Sequence, residues 1–372
     1  MNHPQHLPAA ATPAPFLSLH AFTAPSRKGS PGRPIDLDVV KGELVCLLGP
    51  AACGNSQLLR VIAGEARPGS GQLDLDGRDV GRLPPAARGM ALWATPDSLV
   101  PVLNVRRNVR LGLVGSDGEA AARVEALLAQ VGLNGLGGRF PASLTPALRR
   151  RVTLARALVR SPRLLLADEP LAGLDGEDKI ALRVLLRERQ QQQGLTTIVA
   201  LRDPLDAMAM ADRIAVMEEG MVAQIGTPQQ VYCNPASEYV ARLIGQGNWL
   251  PAVTLGAGMA LVGDMALMLR QQRYLPPGTR IKLFIRPENV RLLHEWRPQQ
   301  NNLLCHIEAM DFLGPTVRVR LKPSSMRGTR VVAELNPLDV QRLGIRVGML
   351  APLALPSDCI QVFGDGGAWP QG

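Results

Sequence analysis

The amino-acid sequence predicts an α/β domain followed by a small all-β domain. Its 372 residues suffice for two hydrophobic cores. A β-branched and leucine run at Glu43–Leu48 leads through a glycine-bounded turn into a helical pattern, and a second buried strand, RLLLA, ends in an acidic pair. Both features are typical of a parallel sheet with helices. Near the C-terminus, short apolar-alternating strands between Gly and Pro turns, as in HIEAMDFLGPTVRVRLKP, indicate a small OB-like β-barrel.

The other elements of the α/β part follow from local patterns. Gly69–Val80 is predicted to be a hairpin with Asp76 and Gly77 at its turn. Glu119–Val131 has the apolar spacing of an amphipathic helix. FLSLHAFTA and PIDLDVV are each predicted to be a strand. RRRVTLARALVR is predicted to be a basic amphipathic helix that ends at Ser161 and Pro162.

The turn after Glu43–Leu48 is the first candidate site. It predicts a phosphate-binding loop, in which backbone N–H groups and a helix N-terminus face an anion. The pattern G-x-x-x-x-G-K-S/T is matched at both glycines and at the serine, but Asn55 stands where the lysine belongs. The competing interpretation is that any strand–turn–helix unit favours small residues at the turn. The expected nucleotide-binding residues are Gly49, Pro50, Ala51, Ala52, Cys53, Gly54, Asn55 and Ser56.

The acidic pair after RLLLA is the second candidate site. The C-terminal end of a buried parallel strand is where α/β sheets place ligand chemistry. Asp168 can hold Mg²⁺, together with the hydroxyl of Ser56, and Glu169 can orient or deprotonate a water as a candidate base. The alternative is that the pair only caps the following turn.

Composition limits the classes of partner. There are 41 basic and 32 acidic residues, giving a net charge of +9, but the arginines are spread along the chain and aromatics make up 3%, so no nucleic-acid partner is expected.

Five cysteines without C-x-x-C spacing predict neither a disulfide framework nor a zinc site, which fits a reducing, cytoplasmic setting. The Pro/Ala-rich start is not a secretory signal, and the apolar window Trp249–Leu269 contains too many Gly, Pro and Asp residues for a membrane span.

Two longer segments carry a family resemblance. RLLLADEPLAGLD and Ala211–Gly245 resemble the Walker B strand, the D-loop and the end of an ABC-transporter ATP-binding subunit. The chain is similar to the importer subfamily for polyamines, ferric iron, sugars and phosphonates, from about Phe16 to Phe363. LFIRPENVRLL and EAMDFLGPTVRVRL resemble that subfamily's OB-like C-terminal domain.

The resemblance implies an α/β P-loop NTPase of the ABC ATPase type, with ATP and Mg²⁺ as cofactors. It also implies integral-membrane permease subunits as partners, a solute-binding protein acting indirectly, a homodimer or heterodimer of ATP-binding subunits, and a peripheral location on the cytoplasmic face of the inner (plasma) membrane. The implied organisation is a leader at 1–15, the ATP-binding domain at 16–235, a linker at 236–250, a regulatory domain at 251–365 and a tail at 366–372.

The resemblance also identifies departures from the family's motifs. Besides Asn55 in place of the lysine, Thr95 stands at the Q-loop glutamine, which leaves it as a candidate metal contact, and Arg202 stands at the switch histidine. No aromatic is evident around Ser26 to stack on the base, although Phe22 is near. The signature LSGGQ is replaced by Leu144, Thr145, Pro146, Ala147 and Leu148.

The sequence therefore leaves the activity open. One hypothesis is an importer subunit that couples MgATP binding or slow hydrolysis to solute uptake through a membrane permease. The alternative is a catalytically inactive subunit that regulates or scaffolds the same kind of complex, and a third is a drifting gene copy. The transported solute is not predicted, because other chains of such complexes select it.

Overall fold

The computed structural model describes residues 14–24, 33–94, 98–113, 117–270, 275–326 and 328–364, apart from the side chains of residues 117 and 118. The chain divides into two compact units, Met1–Asn234 and Pro235–Gly372. The residues 236–250, which the sequence analysis treats as a linker, hold a helix and the beginning of a strand of the second unit.

The first unit contains ten described strands. They are β1 Leu17–Thr23, β2 Ile35–Val39, β3 Leu44–Leu48, β4 Ser70–Leu75, β5 Arg78–Asp79, β6 Met90–Ala94, β7 Leu164–Asp168, β8 Thr196–Leu201, β9 Arg213–Glu218 and β10 Met221–Gly226. Its described helices are α1 Asn55–Ala63, α2 Val105–Arg110, α3 Asp117–Gln130, α4 Pro146–Leu158, α5 Gly176–Gln193, α6 Pro204–Met210 and α7 Pro228–Cys233.

Two sheets organise this unit. The larger has the order β10-β9-β3-β8-β7-β6, in which the strands from β9 to β6 are parallel. Every residue of β3, β7 and β8 is buried, as expected for parallel strands covered on both faces. The smaller sheet, β2-β1-β4-β5, is antiparallel. Because β8 lies between β3 and β7, the segments that follow these three strands meet at one edge of the larger sheet.

Local sequence patterns account for most of these elements. The predicted hairpin is confirmed: β4 pairs with β5, and both turn residues, Asp76 and Gly77, have positive φ angles, 54° and 72°. The predicted basic helix begins earlier than its arginine-rich part, at Pro146, because Thr145 caps it. It ends at Leu158, before Ser161 and Pro162.

The described part of the second unit is an all-β domain with two short α-helices, which confirms the predicted fold class. Its helices are α8 Glu238–Ile244 and α9 Pro337–Leu343. Its strands are β11 Asn248–Gly256, β12 Met259–Val262, β13 Met265–Met268, β14 Arg280–Ile285, β15 Arg291–Leu292, β16 Asn302–Phe312, β17 Val317–Pro323, β18 Val331–Leu335, β19 Leu350–Ala354 and β20 Gln361–Gly364. Two antiparallel five-stranded sheets, β13-β12-β11-β14-β20 and β15-β19-β16-β17-β18, contribute to a single hydrophobic core.

The apolar window Trp249–Leu269 forms β11, β12 and β13 of this domain. Among the helices in the described part of the chain, none combines the length and apolar character needed to cross a bilayer.

Candidate functional site

The predicted phosphate loop joins the end of β3 to the start of α1. The N–H of Gly49 donates to the carbonyl of Leu201 at 3.2 Å, and the N–H of Cys53 donates to the carbonyl of Pro50 at 3.0 Å. Gly54 has a φ of 99°, a left-handed conformation that favours glycine, and no side chain caps the helix that follows. The first turn of α1 therefore keeps N–H groups without intrahelical partners, as an anion cradle requires.

Gly49 is needed for a different reason. A Cβ atom at this position would lie 2.6 Å from the Sγ of Cys53 and 3.0 Å from the carbonyl oxygen of Met217. The first distance would require the Cys53 side chain to move and the second is a tight contact with the backbone of β9, so the close packing of the loop disfavours a side chain here.

Asn55, which replaces the expected lysine, turns back toward the sheet. Its Nδ2 donates to the carbonyl of Leu47 at 3.0 Å, and because a carbonyl only accepts, this contact fixes which end of the amide faces the strand. The side chain is 7% exposed, and its Oδ1 is a buried atom without a hydrogen-bond partner among the described residues. The group at this position thus brings no charge to the loop, and its donor is already engaged by the protein.

Ser56, which lies in the segment after β3, and Asp168, at the end of β7, lie together. The Oγ of Ser56 donates to the Oδ1 of Asp168 at 2.7 Å, and Asp168 is 6% exposed. A hydroxyl and a carboxylate are the oxygen ligands that Mg²⁺ prefers, and this ion keeps several waters and so needs few protein groups. The described residues include no group of three or more His, Cys, Asp or Glu that could hold a metal.

Glu169 follows Asp168 in a strained conformation and is held from two sides. Its φ is 50°, unusual for a residue other than glycine, and its N–H donates to the carbonyl of Ala200 at 3.1 Å. Its carboxylate accepts from the Nε of Arg202 at 3.0 Å. Burial raises the pKa of Glu169, while the charge of Arg202 lowers it and that of Asp168 raises it further, and the net shift is upward. The candidate base is therefore paired with the residue at the switch position.

The segment at the signature position is the start of α4. Leu144 is buried, and the hydroxyl of Thr145 accepts from the N–H of Leu148 at 3.3 Å, which makes Thr145 the N-cap. Pro146 occupies the first helical position, where the missing N–H would have had no intrahelical partner. Ala147 is 5% exposed. The five residues thus form a regular capped helix start, and their effect on a partner's nucleotide remains a prediction.

Two other sequence expectations have different outcomes. Thr95, the candidate at the Q-loop position, lies outside the described residues. Phe22 is 1% exposed and belongs to the core around β1, so it is not available to stack on a nucleotide base.

The structure also shows two contacts that the sequence analysis missed. The first is the hydrogen bond from the Asn55 amide to the carbonyl of Leu47. Every residue has a backbone carbonyl, so residue types in the sequence do not indicate which one accepts this bond. The pairing of Arg202 with Glu169 had a signal: both residues directly follow buried strands, and a parallel sheet brings such positions to the same edge.

Comparison with known proteins agrees with this fold. The family model described as ABC transporter matches residues 33–172, and the TOBE domain model matches residues 283–363. The sulfate/thiosulfate import ATP-binding protein CysA 2 of Chromobacterium violaceum is 41% identical over 329 residues, covering 88% of this chain and 89% of that protein. The Fe(3+) ions import ATP-binding protein FbpC 2 of Rhizobium meliloti is 37% identical over 346 residues, covering 89% and 87%.

A solved structure is similar as well. cbiO1 from Clostridium perfringens, described as part of the ABC transporter complex cbiONQ, is 26% identical with a TM-score of 0.54, and the match covers 58% of this chain and 90% of that one. The resemblance inferred from the Walker B strand and from the C-terminal strands is thereby confirmed. This chain belongs to the family of ATP-binding subunits of ABC importers.

Proposed function

We propose that this subunit binds MgATP weakly and couples that binding, or slow hydrolysis, to solute uptake through membrane permease subunits. The observation that carries the proposal is the side chain of Asn55, whose donor is bonded to the carbonyl of Leu47. The backbone cradle of the loop remains, and so does the pair of Ser56 and Asp168 that fits Mg²⁺. Binding therefore depends on main-chain donors and one metal position, without a lysine.

The missing lysine affects hydrolysis more than binding. One charged hydrogen bond is worth about 1.5–3 kcal/mol, which weakens binding without abolishing it. Phosphoryl transfer relies on positioning and electrostatic stabilisation, and a single cation there can contribute roughly 10³–10⁵ in rate. When bound, MgATP would supply the reacting phosphoryl group and the metal charge, Ser56 and Asp168 would hold the ion, and Glu169 would orient the attacking water.

A second candidate function is supported by the ion pair between Arg202 and Glu169. A carboxylate that already accepts from a guanidinium at 3.0 Å is less available to accept a proton from water. The same subunit would then bind nucleotide and permease without turnover, as a regulatory or scaffolding member of the complex.

The proposal includes the partners and the location. The subunit acts as a homodimer or heterodimer of ATP-binding chains at the cytoplasmic face of the inner membrane, docked on permease subunits, with a solute-binding protein acting indirectly. No solute is assigned, because the two relatives described above are named for the import of an anion and of a metal cation.

A calorimetric titration of MgATP into the full-length protein tests the weak-binding proposal. We expect Asn55→Lys to bind MgATP at least about tenfold more tightly than the parent, since a charged contact is restored. Asn55→Met, which has a long side chain without charge, is the matched control and should not gain affinity. Parent affinity equal to that of Asn55→Lys would contradict the proposal. ATPase assays of the parent reconstituted with its permease in proteoliposomes then separate slow turnover from none.

A further inference from the structure

The order of strands places Arg202 between the phosphate loop and the acidic pair. Strand β8 lies between β3 and β7, and Leu201, its last residue, is in register with Leu48 at the end of β3. The carbonyl of Leu201 accepts from the N–H of Gly49, the first residue of the loop. Arg202 therefore leaves the sheet directly beside the position where the loop begins.

Two other cations of this unit, Lys179 and Arg60, are placed differently from Arg202. Of the described lysines, Lys179 is engaged by the carboxylates of Asp203 and Asp206. Arg60, on α1, is exposed and lies more than one helical turn beyond Asn55. Lys28 lies outside the described residues.

The electrostatics of Cys53 agree with the closeness of Arg202 to the loop. Burial raises the pKa of the Cys53 thiol, the charge of Glu169 raises it further, and the charge of Arg202 lowers it. Arg202 therefore lies near enough to this loop residue for its charge to act on the thiol.

The guanidinium of Arg202 has donors left for a second anion. Its contact with Glu169 uses Nε, and the side chain is 58% exposed. A guanidinium has five N–H donors in a planar fork, and this geometry matches the oxygens of a phosphate group.

We propose that Arg202 supplies to the nucleotide phosphates the positive charge that Asn55 does not supply. The nucleotide site of this chain would thus take its cation from the end of β8 instead of from the loop. This inference rests on the proposed function, because it names a binding residue for the same ligand. It also gives the ion pair with Glu169 a role, since the carboxylate holds the guanidinium beside the loop before nucleotide arrives.

The test is a calorimetric titration of MgATP into four full-length proteins: the parent, Arg202→Gln, Arg202→Lys and Arg60→Gln. We expect Arg202→Gln to weaken binding about tenfold or more, because one charged contact is lost. Arg202→Lys should retain most of the affinity, and Arg60→Gln, which removes an exposed arginine on the helix after the loop, should match the parent. Thermal unfolding of each variant checks that the exposed substitutions leave the fold intact.

The same titration in an Asn55→Lys background separates a substitute cation from a general effect. With a lysine in the loop, the charge of Arg202 is redundant, so adding Arg202→Gln should change the affinity by less than about threefold, a non-additive result that indicates a shared role. Equal losses in both backgrounds would overturn the proposal.

The remaining outcomes distinguish this inference from the proposed function. If the parent binds MgATP and Arg202→Gln binds equally well, the inference fails and the weak-binding function stands. If the parent shows no binding while Asn55→Lys does, Arg202 supplies no useful charge, and the inference and the weak-binding function both fail.

Discussion

The Nε of Arg202 lies 3.0 Å from the Oε1 of Glu169, and the two residues directly follow adjacent parallel strands. Arg202 is more than half exposed, whereas the side chain of Glu169 is 17% exposed. A pair of this kind favours the charged form of the carboxylate and occupies one of its oxygens. It therefore links the two questions about this site: how a phosphate is bound, and whether a water can be activated.

The first prediction concerns turnover in a chain with a restored lysine. We expect Asn55→Lys/Arg202→Gln to hydrolyse ATP at least about tenfold faster than Asn55→Lys alone, because Glu169 is freed to act as a base. Steady-state ATPase assays measure this, with Asn55→Lys/Arg202→Gln/Glu169→Gln as the control that should lose the gain. A double variant no faster than Asn55→Lys would show that the ion pair does not restrain hydrolysis.

The pH dependence of the same assay is a second prediction. Burial raises the pKa of Glu169 above its ordinary value of 4.5, and Arg202 opposes that rise. Removing Arg202 raises the pKa further, and a base loses activity as the pH falls through its pKa. The acidic limb of the rate profile should therefore move to higher pH in Asn55→Lys/Arg202→Gln than in Asn55→Lys. A shift to lower pH would exclude Glu169 as the group responsible.

The third prediction tests the packing of the phosphate loop. Gly49→Ala should destabilise the protein by about 1–3 kcal/mol and weaken MgATP binding, because the new Cβ would lie 2.6 Å from the Sγ of Cys53. Gly176→Ala is the matched control, since a Cβ there meets no atom within 4 Å, and its effect should stay within about 0.5 kcal/mol. Urea unfolding and nucleotide titration measure both variants, and equal stabilities would contradict the packing argument.

The fourth prediction concerns Arg88, a buried cation that closes the end of α1. Its guanidinium donates to the carbonyls of Leu83, Val61, Ile62 and Gly81, and the residue is 4% exposed. Arg88→Met should lower the free energy of unfolding by about 2–4 kcal/mol, because buried carbonyls lose their donors. Arg88→Lys should lose less, since it keeps the charge near the helix C-terminus but lacks the planar fork. Urea denaturation checks the order, and a lysine variant weaker than the methionine variant would contradict it.

The fifth prediction uses Asp212, whose carboxylate accepts from the N–H of Leu44 at 2.8 Å and pairs with Arg187. Burial acts to raise its pKa, but these hydrogen bonds and the charge of Arg187 outweigh burial and leave the pKa below its ordinary value of 3.8. The stabilisation is therefore present above about pH 3.8 and is lost as the pH falls through the lower, folded-state pKa.

Asp212→Asn should cost about 1–2 kcal/mol at pH 7, toward the lower end because a third of this carboxylate is exposed and screened. The difference from the parent should shrink in acid. Asp76→Asn, which breaks an exposed ion pair with Arg163 and keeps a residue suited to the turn, is the control and should change stability by less than about 1 kcal/mol at every pH. A constant difference between the parent and Asp212→Asn down to pH 2 would contradict the assigned pKa.

Elements whose signals are local can be predicted from the sequence alone. The turn at Asp76 and Gly77, the glycines of the phosphate loop and the buried strand before Asp168 are all predicted from residues that are neighbours in the chain. The sequence also grouped Ser56 with Asp168 as candidate Mg²⁺ ligands, and the structure shows the two side chains hydrogen-bonded to each other.

The contacts of the two unusual residues, Asn55 and Arg202, follow from the folded arrangement of the strands. The sequence shows that Asn55 lacks a charge, but the bond of its amide to the carbonyl of Leu47 depends on where the folded loop places the first residue of α1 relative to β3. It likewise shows an arginine at position 202, but the contact with Glu169 depends on β8 lying between β3 and β7. Hydrogen bonds and ion pairs act over a few ångströms, so their partners are set by the order of strands in the sheet and not by distance along the chain.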